Sequence, residues 1–278
     1  MGEINFEKLV GELSSCSFDC DSLNLIDGNL LPNIADVSDF ANEVLALMFP
    51  NVLSDSKKYN LIWREKTESL FLMLKKLLES TSASDPEQKA KTFLYSLKDV
   101  KCSLIKDAIA MYNGDPAATS PCEVIICYPG FYAIAMQRMA HTLFNMKIPY
   151  IPRMITEYAH GKTGIDIHPG AKIGESFCID HGTGVVIGET AEIGNNVKIY
   201  QGVTIGAKSF KKDVKGNLIK NTKRHPTIGN ECIIYAGATI LGGDTVIGDG
   251  CVIGGNVWLT SSLPPGEKIY YDPTGNKK

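Results

Sequence analysis

The chain has 278 residues, enough for two domains, and its hydrophobic content of 44% and charged content of 21% are typical of globular proteins. The net charge of −3 indicates no nucleic-acid-binding surface, and no apolar run approaches the length of a membrane span. The N-terminal residues lack the basic and apolar segments of a secretion signal. We therefore expect neither a nucleic-acid partner nor a membrane partner.

Residues 1–160 are predicted to form an all-helical domain, because their apolar residues recur at the spacing of one helix face. Proline and glycine divide this region, for example at Pro50 and in the segment 113–116. We interpret Pro129–Gly130 as a turn between two helices. The predicted helices cover residues 40–49, 60–78, 86–112, a stretch that opens at 120, 131–144 and 148–160.

The region 161–263 has a different period, since isoleucine recurs there at intervals of six residues. A six-residue period is typical of a parallel β-helix, in which each repeat forms a short strand and a turn. The known proteins with this repeat are left-handed. The predicted fold class is therefore α+β, with a helical domain, a left-handed parallel β-helix over 161–263, a protruding loop over 207–227 and a C-terminal tail over 264–278. The isoleucines of the repeat are Ile167, Ile173, Ile179, Ile187, Ile193, Ile199, Ile205, Ile228, Ile234, Ile240, Ile247 and Ile253.

The repeat slips out of register at two places. The first slip spans Asp180–Gly184 and the second lies at Gly242–Asp244. A register slip produces a bulge, and bulges are frequent next to active sites. Since Ile179 is predicted to point inward, one of Asp180 and His181 points outward. A histidine beside a carboxylate is a common general base, because imidazole titrates near neutral pH.

Three of the five histidines lie in the repeat region, namely His168, His181 and His225. In the predicted β-helix, three six-residue repeats, about 18 residues, make one turn of a three-sided prism. Asp166 lies 14 residues before Asp180, close to one such turn. We therefore expect Asp166 to orient an imidazole on the neighbouring strand. The alternative is that these polar side chains only cap turns.

The interruption of the repeat is strongly basic, with seven cations and one acid, Asp213. This pattern indicates either a solvated loop or a surface that attracts a polyanion such as the phosphates of coenzyme A. The cations are Lys208, Lys211, Lys212, Lys215, Lys220, Lys223 and Arg224.

Eight cysteines are scattered through the chain, without a CxxC pair or the spacing of a zinc site. We interpret them as free thiols in a reducing compartment, which predicts a cytoplasmic location and no bound metal. They lie at positions 16, 20, 102, 122, 127, 178, 232 and 251.

Four segments together resemble the serine O-acetyltransferases, a family of hexapeptide-repeat enzymes. They are residues 166–174, 179–191, 202–206 and 224–226, and the segment Asp-His-Gly-Thr-Gly within the second is the most specific. Upstream, Asp115-Pro116-Ala117 resembles the Asp-Pro-Ala of the family's substrate site. The resemblance implies transfer of acetyl from acetyl-CoA to the hydroxyl of L-serine, giving O-acetyl-L-serine for cysteine biosynthesis.

Residue roles follow from the resemblance position by position. His181 matches the general base and Asp166 the residue that holds its imidazole. The substrate-binding residues implied are Asp115 and Asp180 for the serine amine, Arg224 for the serine carboxylate, and His225. Three further positions match the backbone beside the pantetheine arm of coenzyme A, namely Gly206, Ala207 and Ala236.

The resemblance also implies a homotrimer with its active sites between adjacent prisms, and leaves open whether trimers pair through the N-terminal helices. The segment before Arg224 is longer than in well-known bacterial members, which leaves the coenzyme A contacts open. Family members that bind O-acetylserine sulfhydrylase do so through a C-terminal isoleucine, whereas this chain ends in Lys278. We therefore predict no such complex. Feedback inhibition by cysteine stays open.

Three alternatives remain at this point. A hexapeptide acyltransferase for another small amino or hydroxy acid would share His181 and differ only in its acceptor pocket. A zinc-dependent carbonic anhydrase would bring His168, His181 and His225 together around the metal. A prism without catalytic activity would need no such clustering of polar residues.

Overall fold

The computed structural model describes residues 31–50, 59–81, 83–210, 212–220 and 222–271, with only the backbone at 59–62. The described residues from Pro32 onward form one compact unit. Cys16, Cys20 and Lys278 lie outside the described residues. Within the described ranges, no helix is long and apolar enough to cross a membrane.

A helical region comes first. Its helix α5 begins at Pro129, so Pro129–Gly130 form a first helical turn and the interpretation as a turn between helices was wrong. Proline suits this position because its fixed φ matches the helix. Gly130 packs so closely on the first strands that an added Cβ would lie 2.4 Å from the carbonyl oxygen of Ile179. The described helices are α1 (Ile34–Met48), α2 (Tyr59–Glu79), α3 (Pro86–Gly114), α4 (Pro121–Cys127), α5 (Pro129–Asn145) and α6 (Ile151–Thr163).

Short parallel strands follow, and successive strands pass to three sheets in turn. Sheet A contains β1, β4, β7, β10 and β13, sheet B contains β2, β5, β8 and β11, and sheet C contains β3, β6, β9, β12 and β14. The strands are β1 (Asp166–Ile167), β2 (Lys172–Ile173), β3 (Cys178–Ile179), β4 (Val186–Ile187), β5 (Glu192–Ile193), β6 (Lys198–Ile199), β7 (Thr204–Gly206), β8 (Thr227–Ile228), β9 (Ile233–Ile234), β10 (Thr239–Leu241), β11 (Val246–Ile247), β12 (Val252–Ile253), β13 (Trp258–Leu259) and β14 (Lys268–Ile269).

The repeat isoleucines form the core of this three-sided coil. In sheet A, Ile167, Ile187, Ile205, Ile240 and Leu259 pair in register, and all are buried. Each stacks on its equivalent one turn away, so the core is a column of side chains rather than the contact of two layers. The predicted order of a helical region followed by parallel strands in three sheets is confirmed.

The CA corner comprises the turns that lead from sheet C to sheet A, and the AB corner those that lead from sheet A to sheet B. Residues 207–226 leave the AB corner between β7 and β8, and their described part contains one isolated antiparallel bridge, Lys212–Leu218. Strand β14 lies in the segment 264–278, which the sequence analysis assigns to a tail, and it pairs with β12 of the coil.

A buried ion pair joins the helices to the first turn of the coil. Asp107 of α3 is fully buried, and its carboxylate accepts hydrogen bonds from Arg138 of α5 at 2.6 and 2.8 Å and from the amide of Phe177 at 2.8 Å. Arg138 also donates to the carbonyls of Ile173 and Gly174 at 3.1 and 2.7 Å. This pair thus holds the end of α3 against the coil.

We expect Arg138→Met to lower the free energy of unfolding by about 3–5 kcal/mol, because it leaves a buried carboxylate without its cation. Urea denaturation measures the change. Arg64→Met is the control, since the Arg64 side chain is 85% exposed in its pair with Glu68 and should contribute no measurable stability. An equal loss in both variants would contradict the prediction.

Candidate active site

The first register slip forms a turn at the CA corner that exposes His181. The His181 side chain is 72% exposed, whereas that of Asp180 is 14% exposed. Three residues of this turn have positive φ, namely His181 at 59°, Gly182 at 89° and Gly184 at 82°. A Cβ on Gly182 would lie 2.5 Å from Ile165, so this conformation requires glycine there.

The end of helix α3 brings Asp115 to this turn. Its carboxylate accepts hydrogen bonds from the hydroxyl of Tyr128 at 2.6 Å and from the amide of Ala117 at 2.8 Å. These two bonds lower the pKa of Asp115, to which the charges of Lys198 and His181 also contribute. The same bond to Asp115 raises the pKa of Tyr128 to about 12. Asp115 is therefore held ionised.

Lys198 links Asp180 to the backbone of Gly114, the residue before Asp115. Its Nζ lies 3.1 Å from Asp180 Oδ2 and donates to the carbonyl of Gly114 at 2.6 Å. Asp180 Oδ1 lies 3.8 Å from His181 Nε2. Two carboxylates, one cation and one imidazole thus meet at the CA corner, and we call these residues, with Tyr128, the acidic cluster.

Sequence reasoning missed Lys198 and Tyr128. The register slip lengthens one turn of the coil, so that Lys198 pairs with Cys178 across 20 residues. A count that included the slip would have placed Lys198 beside Asp180. Tyr128 gives no comparable signal, because it reaches Asp115 only through the packing of the helical region.

The AB corner carries a second polar group of residues. Arg224 pairs with Glu189 at 2.5 Å. Burial acts to raise the pKa of the Glu189 carboxyl, but the contact with Arg224 outweighs burial, and the pKa is lowered. The hydroxyl of Thr190 accepts hydrogen bonds from the amides of Arg224 and His225 at 3.0 and 3.1 Å. The residues predicted to bind one substrate are therefore divided between two corners of the coil.

His225 is buried and held in one orientation. Its Nδ1 accepts a hydrogen bond from the amide of Thr190 at 3.0 Å and lies 2.9 Å from the Thr190 hydroxyl. Burial, with the charge of Arg224, lowers the pKa of His225 to about 4. The imidazole is therefore neutral near pH 7, with its hydrogen on Nε2, where it is available to a hydrogen-bond acceptor.

The ring of His225 packs closely against Gly188, where an added Cβ would come 2.1 Å from Nε2. We expect Gly188→Ala to displace the imidazole and lower kcat/KM for the acceptor by roughly ten- to a hundredfold, as for other misplaced binding groups. Steady-state kinetics measures the loss. Gly161→Ala is the matched control, since nothing lies within 4 Å of its added Cβ, and it should keep full activity. Unchanged kinetics in Gly188→Ala would refute the role of this contact.

The histidines do not suit the zinc alternative. His168 Nδ1 accepts a hydrogen bond from the amide of Gly170 at 3.0 Å, as His225 Nδ1 does from Thr190. A neutral imidazole in this tautomer carries its hydrogen on Nε2 and offers no free lone pair, whereas a metal-bound histidine donates its other N–H. Burial also lowers the pKa of His168.

Asp166 lies close to Glu157 and His160, two residues that the sequence analysis did not connect with it. Its carboxylate, Glu157 and His160 have ligand atoms within 4.8 Å of one another, and this is the one such group of potential metal ligands among the described residues. The carboxylate recorded beside His181 is that of Asp180. The pairing of Asp166 with His181 stays a prediction.

The residues expected to contact coenzyme A also lie at both corners. Gly206 ends β7 and Ala207 follows it at the AB corner, while Ala236 follows β9 at the CA corner, next to the stacked rings of Tyr200 and Tyr235. A cavity of about 180 Å³ opens beside Arg224. Its lining includes Lys208, Ser209, Phe210, Ile219, Thr222, Lys223, Gly242, Gly243, Asp244, Thr245 and Thr260.

Several known proteins similar to this chain are serine acetyltransferases. The "Serine acetyltransferase, plasmid" of Synechococcus elongatus is 56% identical over 177 residues, which cover 64% of this chain and 55% of that relative, so the chain spans little more than half its length. The serine acetyltransferase of Helicobacter pylori is 47% identical over 55% of this chain and 83% of its own length. No protein-family model matches the chain.

Among solved structures, serine acetyltransferase 1 of Entamoeba histolytica in complex with L-cysteine superposes with a TM-score of 0.76. It is 34% identical, and the superposition covers 94% of each chain. The similarity therefore extends over the helical region as well as the coil.

Proposed function

The chain belongs to the serine acetyltransferase family, and we propose that it transfers acetyl from acetyl-CoA to the hydroxyl of L-serine, giving O-acetyl-L-serine for cysteine biosynthesis. The observation that carries the proposal is the acidic cluster, in which an exposed imidazole stands beside two carboxylates. An α-amino acid suits such a site, because its ammonium group complements the carboxylates.

A homotrimer accounts for the division of the site between two corners. Sheet A lies between the CA and AB corners, and beyond β1 its outward residues are uncharged: Val186, Thr204, Thr239 and Trp258. Trp258 is 69% exposed in the single chain. Packing three A sheets around an axis would bury these side chains and place the CA corner of one chain against the AB corner of the next.

The finer features of the coil belong to this proposal. We propose that the coil is left-handed, as in other proteins with this repeat, and that residues 207–227 form a protruding loop. The cytoplasmic location stays a prediction of the sequence, and the pairing of trimers through the N-terminal helices stays open.

The proposed reaction needs no covalent intermediate on the protein. Asp115 and Asp180 hold the serine ammonium, while Arg224 and the Nε2–H of His225 hold its carboxylate. His181 removes the hydroxyl proton as the serine oxygen attacks the thioester carbonyl, so that a C–O bond forms and the C–S bond breaks. The imidazolium then returns the proton to the sulfur of coenzyme A. Asp166 is assigned by resemblance as the partner of His181.

Acetyl-CoA is proposed to lie along the same groove. Gly206, Ala207 and Ala236 would contact its pantetheine arm, which fits their places at the two facing corners. The cavity beside Arg224, with Lys208 and Lys223 in its lining, offers positive charge for the phosphates.

The test follows thiol release from acetyl-CoA with serine, homoserine and threonine as competing acceptors. We expect serine to have the highest kcat/KM and mass spectrometry to identify O-acetyl-L-serine. A preference for another acceptor would support the alternative, a hexapeptide acyltransferase with a different acceptor pocket. No turnover with any of them would contradict both.

A further inference from the structure

We propose that Lys198 is a positioning residue that holds Asp115 and Asp180 together as one clamp for the substrate ammonium and prevents Asp180 from stabilising a protonated His181. The inference rests on the proposed function, because it assigns a task to a residue behind the proposed acceptor site. Neither the sequence motifs nor the resemblance assigned a role to Lys198.

Lys198 is well placed to control both carboxylates. It stands at the outward position of β6, with a side chain only 17% exposed, and its Nζ contacts Asp180 at 3.1 Å. The same Nζ donates to the carbonyl of Gly114, the last residue of α3, at 2.6 Å. Such a carbonyl has no partner within its own helix, and a lysine is a favourable cap for it. Asp115 follows Gly114 directly, so Lys198 ties its backbone to the side chain of Asp180.

The position of the Lys198 ammonium is itself restricted. Its Nζ lies 4.6 Å from the ring centroid of Tyr200, which stacks on Tyr235 at 5.2 Å. Burial opposes the charge of Lys198, but contacts with Tyr200 and Asp180 outweigh it and raise the pKa of the ammonium. Lys198 therefore remains a cation.

The charges of the acidic cluster explain why a cation is needed there. Asp115 and Asp180 carry two negative charges, and Lys198 compensates one of them. A single substrate ammonium then brings the cluster to neutrality. Without Lys198, the uncompensated carboxylates would repel each other, and Asp180 would lose the contact that fixes its orientation.

The same loss would affect the proposed base. His181 lies beside Asp180 in its own turn and interacts with the charge of Asp115 from the helical region. Lys198 of β6 contacts Asp180, Tyr128 bonds to Asp115, and Asp166 of β1 is the predicted partner of His181. In the proposed trimer, Arg224 of the next chain faces the same site. Among the described residues, Lys198 is the one lysine or arginine in contact with Asp180. Its removal would leave the Asp180 carboxylate without that cation beside His181, and an uncompensated carboxylate favours the protonated imidazole, which is inactive as a base.

The experiment compares Lys198→Met, Lys198→Arg and the control Lys172→Met in the full chain. Lys172 occupies the equivalent outward strand position in β2, but its side chain is 71% exposed in a pair with Glu192. For Lys198→Met we expect KM for serine to rise about tenfold or more, as for loss of a buried charged hydrogen bond. We also expect the acidic limb of the kcat/KM profile to move to higher pH. Lys198→Arg should keep the pH profile of the wild type. Lys172→Met should keep both the pH profile and the KM for serine.

Two measurements make the outcome decisive. Thermal unfolding shows whether Lys198→Met is folded, and NMR of the His181 imidazole follows its titration without turnover. If the wild type does not acetylate serine, the proposed function fails, and the NMR titration still tests the inference. An unchanged His181 titration midpoint in a folded Lys198→Met, or an acidic limb that moves equally in Lys198→Arg, would overturn it.

Discussion

Replacing His181 with asparagine should lower kcat by about two to four orders of magnitude, the range for loss of a general base. The KM for serine should change little, because the proposed substrate contacts belong to Asp115, Asp180, Arg224 and His225. Asparagine is the appropriate replacement, since His181 has a positive φ of 59° and asparagine tolerates that conformation better than alanine. Steady-state kinetics measures the effect.

The fold should survive this substitution. The His181 side chain is 72% exposed, and its recorded contact with Asp180 spans 3.8 Å. Thermal unfolding and sedimentation of His181→Asn should therefore match those of the wild type. A folded variant with near-normal kcat would exclude His181 as the base.

Mixing two inactive variants should restore activity. If His181 of one chain and Arg224 of the next form each site, neither His181→Asn nor Arg224→Ala alone has a complete site. After unfolding and refolding together in equal amounts, random assembly would give about one quarter of the sites both wild-type residues. The recovered kcat should approach that fraction of the wild-type value.

The control is the double variant that carries both substitutions in one chain. The double variant supplies neither His181 nor Arg224 to any site. In a mixture with the wild type, every complete site is therefore formed by wild-type chains alone. Absence of recovery with the two single variants, although they form mixed oligomers by mass spectrometry, would show that both halves act within one chain. The shared site between subunits would then be wrong.

The sequence predicted the coil well because its signal is local and repeated. Each repeat isoleucine occupies the same inward position, and pairs such as Ile187 with Ile205 confirm the register. The helical region was also predicted, although its boundaries moved. Pro129–Gly130 was mistaken for a turn because proline opens helices as readily as it ends them.

The acidic cluster could be predicted only in part. Asp180 and His181 were found because they interrupt a regular repeat, and Asp115 because it resembles a family motif. Lys198 and Tyr128 carry no such mark. Their roles depend on contacts between α3, the start of α5 and β6, which are far apart in the chain.

By itself, then, the sequence determined the period of the coil, the order of helices before strands and the residue types available for acyl transfer. These follow from spacing along the chain, which needs no knowledge of distant contacts. Only the tertiary structure decided that Lys198 joins the Asp180 carboxylate to the backbone next to Asp115, that Gly188 contacts the His225 ring, and that Arg224 and His181 lie at different corners. Those facts depend on which turns of the coil become neighbours and on how the helices close against its first turn.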